Sequence, residues 1–543
     1  MREPLQAQCG TIPLLKGKGA AARALADLLL RFRHAARRTW VEAPPWPACS
    51  ALALRLALSA LSAPPALSAL SAPALPAGWR ACSVASLRGR QQMRHRLLTA
   101  EGGGGGRKEK GAVAAAPAGR PQIDCLIVLD RSVDLVTPLC TQLTYEGLVD
   151  ELLRIVSGAI ELPSDADPTV LRKVRLNSSD ALFKQLRDLD FGRACQRLRE
   201  KSSELQQEYR AMKGARVEEQ GVSEIKGFVR ALRDNMQASR PPSPPPPLPA
   251  RGGSPPCAER GARSARCAQG VGVDLHASIS KILVEASRGR EFTTRLELER
   301  ELLDGASPDS VLEGVEAMVH RQGSLTTALR LLALASLTGG GIPGKRLDAL
   351  RRDILHCYGH QHLLTLKSLQ AAGLLERREA SPRPWWPLAR KGLKLVVDGL
   401  SDSAPDDIAY CYSHSGYAPL SVRLVQAALR GPWRAIEDVL RALPGPHFEV
   451  TQAVDEHGTA TEAPADPGAL DAAAARGGRP PVVLVLLMGG VTFAELSALR
   501  FTAAHPPEGA PPRTLIMAST KMLTGDRLIE SLLAASPGTD GAS

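Results

Sequence analysis

Ile123-Asp-Cys-Leu-Ile-Val-Leu-Asp-Arg-Ser-Val-Asp-Leu-Val-Thr-Pro138 joins a short apolar run to a tight cluster of charges. Residues 123–129 are rich in Ile, Leu and Val, the composition of a strand buried on both faces of a parallel sheet. Asp130, Arg131 and Asp134 fall at its C-terminal edge, where Thr137 and Pro138 stop the element and turn the chain. Charges so placed are either catalytic carboxylates with an orienting arginine or a structural network, because buried charges persist only when paired. We read Asp130, Arg131, Asp134, Thr137 and Pro138 as a structural junction motif between sheet and helices, and assign no catalytic residue and no metal ligand.

Outward from this stretch, strand signals return near the C-terminus. Residues 482–488 and 514–518 are short and apolar, and each precedes a helix-like segment, 493–500 and 525–533. Glu495 follows Thr492 at the Thr-x-x-Glu spacing of a capping box. The residues between read as mainly helical. Helices are expected over 24–33, 150–160, 178–189, 195–212, 223–236, 275–286, 295–303, 307–319 and 324–337. Asn177-Ser-Ser-Asp180 offers N-caps for one of them and Ser307-Pro308 opens another. Strand-then-helix units at both ends of a helical middle imply an α/β fold: a parallel sheet domain assembled from N- and C-terminal segments flanking a mainly helical inserted domain. The expected division is 1–42, a remnant with one helix; 43–120, a low-complexity basic insert; 121–165, the first part of the sheet domain; 166–375, the helical domain, interrupted at 239–270; 376–480, a mixed region with a loop at 452–480; and 481–543, the last part of the sheet domain.

The chain has 543 residues and a net charge of +12, enough length for two to four domains. The charge is uneven: residues 43–120 carry +8 and residues 239–270 carry +4, which leaves the rest neutral. Both segments are low in complexity, one with Leu-Ser-Ala repeats and Gly102 to Gly106, the other with Pro241-Pro-Ser-Pro-Pro-Pro-Pro247. Such composition buries too little apolar surface to offset the entropy of ordering it, so both are expected to be disordered inserts. A nucleic-acid-binding tail and sequence absent from the mature protein, such as retained introns, are the other readings. The ten cysteines are scattered without a C-x-x-C pair, and no signal peptide is read, which points to a reducing compartment without disulfides. The apolar run 482–488 is far short of the roughly 20 residues that span a bilayer, and 51–77 is broken by Arg55 and prolines, so membrane contact is expected only through partners.

Two further patterns suggest chemistry. Gly339-Gly-Gly-Ile-Pro-Gly-Lys345 satisfies the spacing of a phosphate-binding loop. It follows a helix instead of a strand, Arg346 stands where the magnesium-holding hydroxyl belongs, and Pro343 removes an amide donor; a helix-ending turn fits better. Lys16-Gly-Lys-Gly19 lacks the spacing and reads as a helix start with basic flanks. His356, Cys357, His360 and His362 have metal-ligand chemistry, with His356 and His360 sharing a face if the segment is helical, but the flanking leucines indicate core packing. No cofactor is expected.

Several blocks carry a family resemblance in one order along the chain. Leu129-Asp-Arg-x-x-Asp-x-x-Thr-Pro-Leu139, running on through Leu143-Thr-Tyr-Glu-Gly-Leu-Val-Asp-Glu151, resembles the signature of the Sec-one/Munc-eighteen family of SNARE regulators. Similar blocks are the stretch 11–33, Tyr358-Gly359 through Ala372-Gly-Leu-Leu375, Asp407-Ile-Ala-Tyr410, Gly416-Tyr-Ala-Pro-Leu-Ser-Val-Arg-Leu424, the stretch 482–495, and Leu515-Ile-Met-Ala-Ser-Thr520. Within the family the resemblance is to the vacuolar-sorting branch, the class C subunit of the HOPS and CORVET tethers. It implies an α/β second domain flanking a helical third domain, and a non-enzymatic protein that regulates vesicle docking and fusion at endosome, lysosome or vacuole. The implied partners are SNARE proteins and a class C helical solenoid tether subunit, with no nucleic acid. The implied location is cytoplasmic, peripheral on late endosome or vacuole membranes.

In this family a helical hairpin of the third domain holds SNARE helices. The matching stretch is 223–238 with its return helix at 274–283, and the candidate contacts are Lys226, Val229, Arg230, Arg233, Asn235 and Met236; Val229 and Met236 facing the domain core is the plainer alternative. Two departures stand out. The family's first domain is expected to be almost wholly missing ahead of Ile12, so that the chain is incomplete, and the proline-rich insert falls between the two hairpin helices. The other function classes left open are a nucleotide-binding protein using 339–345, a basic scaffold, and a family relic without SNARE templating.

Overall fold

A computed structural model describes residues 12–39, 123–163, 171–216, 257–378, 385–400, 405–454, 460–463, 480–506 and 512–533. These fall within one compact unit, Thr11–Ala43 with Gln122–Ser543; a second unit, Met1–Gly10 with Pro44–Pro121, lies outside the described residues.

Eight strands are described: β1 (Leu14–Lys18), β2 (Cys125–Asp130), β3 (Ala159–Pro163), β4 (Leu171–Arg175), β5 (His447–Val454), β6 (Ala460–Ala463), β7 (Val482–Met488) and β8 (Thr514–Ser519). Six form one sheet in the order β6-β5-β1-β2-β7-β8. Its middle is parallel, β1 to β2 to β7 to β8, while β5 and β6 join antiparallel. The sheet thus draws strands from both ends of the chain, in the mixed α/β class that the opening stretch and the segment at 482–488 imply. Cys125 to Leu129 are at most 2% exposed, as a central strand covered on both faces must be. The helices Phe493–Ala504 and Gly525–Glu530 follow β7 and β8.

The middle of the chain is helical. Ser307 accepts from Asp309 N ahead of Pro308, opening helix Pro308–His320. Helix Leu325–Gly339 begins on Ser324, which accepts from Thr327 N, and stops at Gly340 in the left-handed conformation. These helices and Gly344–Tyr358 share a continuous apolar core with β2 and β7. A smaller core joins β3 and β4 to helices Tyr145–Leu153 and Ala181–Leu186 and to the long pair Phe191–Arg216 and Cys257–Ser287.

The structure differs from the sequence reading in three places. The helix expected over 150–160 ends at Leu153, because Arg154, Ser157 and Gly158 take positive φ and turn the chain into β3, which pairs with β4. Helix Cys257–Ser287 reaches back into the stretch assigned by composition to the proline-rich insert; no proline follows Pro256 there, so nothing breaks the helix. The helix expected over 223–236 lies outside the described residues. Lys16 and Lys18 are not exposed flanks of a helix start but inward residues of β1, 3% and 1% exposed.

Alternation along β1 sends both lysines to one face, where each meets carbonyls at a helix C-terminus. Lys16 Nζ donates to Ala428 O at 3.0 Å and Gly431 O at 2.8 Å, and pairs with Glu449 at 2.9 Å. Lys18 Nζ donates to Leu443 O at 3.1 Å and to Gly445 O. Cations are favoured at these helix ends, and burial brings Lys18 down to about 8. Helix Ala20–Thr39 starts directly after β1.

Candidate functional site

The C-terminal edge of β2 and β7 is where an open α/β sheet ordinarily offers a crevice, and here it holds Arg131. β2 ends in Asp130, a single 3-10 turn covers Arg131–Val133, and helix Val136–Leu139 follows. The Arg131 guanidinium is 7% exposed. Its Nη1 donates to Glu495 Oε1 at 2.9 Å and Oε2 at 3.0 Å, its Nη2 pairs with Asp134 Oδ2 at 3.1 Å, and its Nε donates to Asp134 O at 2.7 Å. Burial opposes the charged form, and the Glu495 and Asp134 carboxylates more than offset it, holding the pKa above the ordinary arginine value. Gly489, at φ +94°, lies so close that a Cβ there would sit 2.7 Å from Arg131 Cβ; only glycine lets β7 leave the sheet past this side chain.

Each remaining oxygen of the cluster has a partner. Asp134 accepts from Thr137 N at 2.9 Å, Thr137 Oγ1 at 2.6 Å and Ser421 N at 2.9 Å. Glu495 accepts from Thr492 N at 2.8 Å and from Ser421 Oγ. With Glu495 N donating to Thr492 Oγ1 at 3.1 Å, this completes a capping box at the start of helix Phe493–Ala504. Thr137 Oγ1 lies 2.9 Å from Tyr417 OH, and Tyr412 OH donates to Thr137 O at 3.2 Å. Asp130 turns the other way: its carboxylate accepts from Ala21 N at 3.0 Å at the start of helix Ala20–Thr39 and from Ser132 N at 3.1 Å. Pro138 is buried in helix Val136–Leu139.

A second buried arginine extends the junction into the helical region. Arg330, 1% exposed within the apolar helix Leu325–Gly339, donates to Leu139 O at 2.5 Å, to Glu151, and to Asp526 at 3.1 Å. Burial opposes its charge too, and Glu151, Glu299 and Asp526 overcome that. Glu299 accepts from Thr141 N at 2.8 Å and Oγ1 at 2.7 Å; burial raises its carboxyl, opposed by Arg330 and Arg295. Gln142 Oε1 accepts from Ala494 N at 3.0 Å, which links this arm to the capping box.

Chemically this assembly is closed. The space bounded by Leu129, Arg131, Asp134, Ser421 and Gly490 amounts to about 10 Å³, one water at most. Substrate has no room, and the carboxylates are saturated with donors. The structure brings Arg131, Asp134 and Thr137 into one network, places Asp130 on its flank at a helix start, and seats Pro138 beneath it. Lys226, Val229, Arg230, Arg233, Asn235 and Met236 lie outside the described residues. Ser421 and Arg330 are the partners that sequence reasoning missed; an arginine in the middle of Ala328-Leu-Arg-Leu-Leu-Ala-Leu-Ala335 was the available signal.

The other sequence candidates resolve into structure. In 339–345 the carbonyls of Gly341 and Gly339 accept from Arg378 at 3.2 and 3.3 Å, so the loop presents acceptors to a cation, the opposite of a phosphate cradle. His356 and His360 do not share a helix, because Gly359 at φ +104° separates helix Gly344–Tyr358 from His362–Ala371.

Fold and site together define a protein whose α/β sheet and helical region are joined by buried ion pairs. The chain belongs to the Sec1 family, whose profile matches residues 5–240 and 269–531. It is similar to the vacuolar protein-sorting-associated protein 33 homolog of Arabidopsis thaliana, at 39% identity over 426 residues, covering 76% of this chain and 62% of that protein. It is also similar to the vacuolar protein sorting-associated protein 33A of Rattus norvegicus, at 35% over 426 residues with the same coverage. The chain therefore spans 62% of the length of these curated relatives. Among solved structures it resembles the Unc18–syntaxin 1 complex from Monosiga brevicollis, with 16% identity, a TM-score of 0.47, and coverage of 76% of this chain and 60% of that one.

Proposed function

We propose that this chain is a SNARE-binding regulator of vesicle docking and membrane fusion at endosome, lysosome or vacuole, acting as the Sec1-type subunit of a class C tethering complex of the HOPS or CORVET kind. The observation that carries the reading is the 39% identity with a vacuolar protein-sorting relative across 76% of the chain. The charge network at the sheet edge supports a non-enzymatic role, since the carboxylates of Glu495 and Asp134 are filled by donors and the space beside them is about 10 Å³. Among the described residues no helix is long and apolar enough to cross a membrane, which suits recruitment to late endosome or vacuole membranes through a class C helical solenoid subunit.

SNARE contact is proposed on the stretch 223–238 with its return helix at 274–283, through Lys226, Val229, Arg230, Arg233, Asn235 and Met236. Helix-in-groove recognition would place Val229 and Met236 against the apolar stripe of the partner, with the basic residues facing its acidic flank. The test is a pulldown of the full chain, as it stands and with Val229→Asp or Arg230→Glu, against purified endosomal SNARE domains and a class C solenoid subunit. Loss of SNARE capture with solenoid capture intact supports the assignment. SNARE capture unaffected by either substitution sinks the hairpin contact, and capture of neither partner by the unaltered chain sinks the function.

A further inference from the structure

Helices Pro308–His320 and Gly344–Tyr358 pack against each other along a seam within one apolar core. Val311, Val315 and Val319 of the first and Leu347 and Ile354 of the second are fully buried there. At the rim of that seam stand Glu316 and His320, four residues apart and so on one helix face, opposite Asp353 on the second helix. One ligand atom of each lies within 4.8 Å of the other two.

His320 and Asp353 stand too far apart for a hydrogen bond, and the three ligand atoms are near enough for side-chain torsions to bring them onto one ion. His320 Nε2 faces Asp353 Oδ2 at 3.7 Å, beyond the hydrogen-bond range. Two ligands bonded to one Zn²⁺ at about 2.0–2.1 Å stand roughly 3.4 Å apart in tetrahedral geometry. Arg346 Nη2 holds Glu316 Oε2 at 2.7 Å, which orients the carboxylate, as hydrogen-bonded second partners do for metal-binding carboxylates. With a neutral imidazole the two carboxylates and one guanidinium sum to a single negative charge, an attractive site for a dication. The backbones that carry the three ligands are fixed by the seam beneath them, so only side-chain torsions need adjust.

The geometry points to a divalent transition-metal site at Glu316, His320 and Asp353, taking Zn²⁺ with water in the fourth position. One nitrogen and two carboxylate ligands suit Zn²⁺ better than Mg²⁺ or Ca²⁺, which prefer all-oxygen shells. The ion clips the two helices together beside the turn where Tyr358 OH donates to Gly323 O at 2.8 Å, and its role is to stiffen the helical region. Ligands 37 positions apart, Glu316 to Asp353, carry no local spacing signature, which is why the residue pattern gave no sign of it.

The experiment is calorimetric titration of ZnCl₂ into the chelator-treated full chain, paired with the visible absorption of added Co²⁺ and with thermal unfolding. The unaltered chain, His320→Ala, Asp353→Asn and the control His356→Ala are compared. All three positions are at the surface or half-buried, and circular dichroism verifies that each variant folds. The expected result is one equivalent of Zn²⁺ lost, or bound at least roughly tenfold more weakly, in His320→Ala and Asp353→Asn but not in His356→Ala. A Zn²⁺-dependent rise in unfolding temperature should vanish in the same two variants. Zn²⁺ uptake and Co²⁺ spectra identical in all four proteins would place any binding on other groups, such as the cysteines, and overturn the site. No uptake at micromolar Zn²⁺ by the unaltered chain would overturn it equally.

Discussion

Arg131 and Glu495 stand 364 residues apart in sequence and form a two-oxygen ion pair at 2.9 and 3.0 Å, with Glu495 fully buried and Arg131 nearly so. The pair connects the end of β2 to the helix that follows β7, and so fastens the two chain segments that make up the centre of the sheet. Asp134 and Ser421 tie helix Leu420–Arg430 to the same point.

Removing one member of this pair is therefore expected to cost more than removing a surface bridge. Glu495→Ala takes from buried Arg131 Nη1 its two-oxygen carboxylate partner, leaving Asp134 as the remaining counter-charge, and also deletes half of the capping box. A loss of about 3–5 kcal/mol follows. Glu495→Gln, which keeps an acceptor for Thr492 N and Arg131, should lose less. Urea denaturation midpoints of the three proteins check the order; equal midpoints would mean that the ion pair contributes nothing.

The strands at 125–130 and 482–488 were legible because each is a nearly uninterrupted apolar run, buried along most of its length with no polar alternation to misread; the edge strand at 514–519, whose residues alternate between exposed and half-buried, was legible from the short apolar run Leu515-Ile-Met-Ala518. The capping box at Thr492 was legible because its two partners are three residues apart. Arg131 and Asp134 were recognisable as charges needing partners. Glu495 and Ser421 were not identifiable as those partners, since local spacing says nothing about contacts made across hundreds of residues. β1 was misread for the same reason: Lys16-Gly-Lys looks solvent-facing until the carbonyls of Ala428, Gly431 and Leu443 are brought to it by the fold. β3 was missed although Ser157-Gly158 marked the turn into it, because Asp150 to Leu153 continue a helical pattern up to that turn.

Gly525 illustrates a position where helix propensity gives the wrong sign. In an open helix alanine would be favoured over glycine by about 1 kcal/mol. A Cβ on Gly525 would clash with Arg330 Nε and lie 2.7 Å from Pro138 O, and Arg330 is held by Leu139, Glu151 and Asp526 and cannot withdraw. Gly525→Ala should destabilise by about 1–3 kcal/mol through overpacking. A thermal unfolding temperature raised by this substitution would show that the Arg330 network yields freely.

Lys16 is expected to show strong coupling to Glu449. Lys16→Met removes the donor for two carbonyls at the end of helix Leu420–Arg430 and leaves Glu449 without its cation. Breaking one partner of such a pair costs about 3–5 kcal/mol. Adding Glu449→Gln removes the orphaned charge and should recover part of that loss. A double-mutant cycle on denaturation free energies measures the coupling, and a coupling near zero would show that solvent reaches Glu449 at no cost.

His276 sets a pH dependence in the smaller core. Its ring is fully buried between Tyr145 OH at 2.9 Å from Nδ1 and Asp180 Oδ2 at 3.1 Å from Nε2, and it stacks on Phe183. Burial lowers its pKa below the ordinary histidine value, and the Asp180 carboxylate only partly opposes this. The unfolded chain then binds the proton at about pH 6.5 while the folded chain does so only at lower pH. Between those two values the unfolded state holds more protons, so stability rises with pH there and is lost as the pH falls from about 6.5. Asp180 also caps helix Ala181–Leu186 by accepting from Leu182 N and Phe183 N, so the cost of protonating His276 falls on the base of the long helix pair. The comparison is between the unaltered chain and His276→Gln, with urea midpoints taken at pH 7.5 and 5.5. Carboxylates common to both proteins cancel in the difference. The unaltered chain should lose more stability than the variant on acidification, and an equal loss in both would mean that His276 binds its proton as readily folded as unfolded.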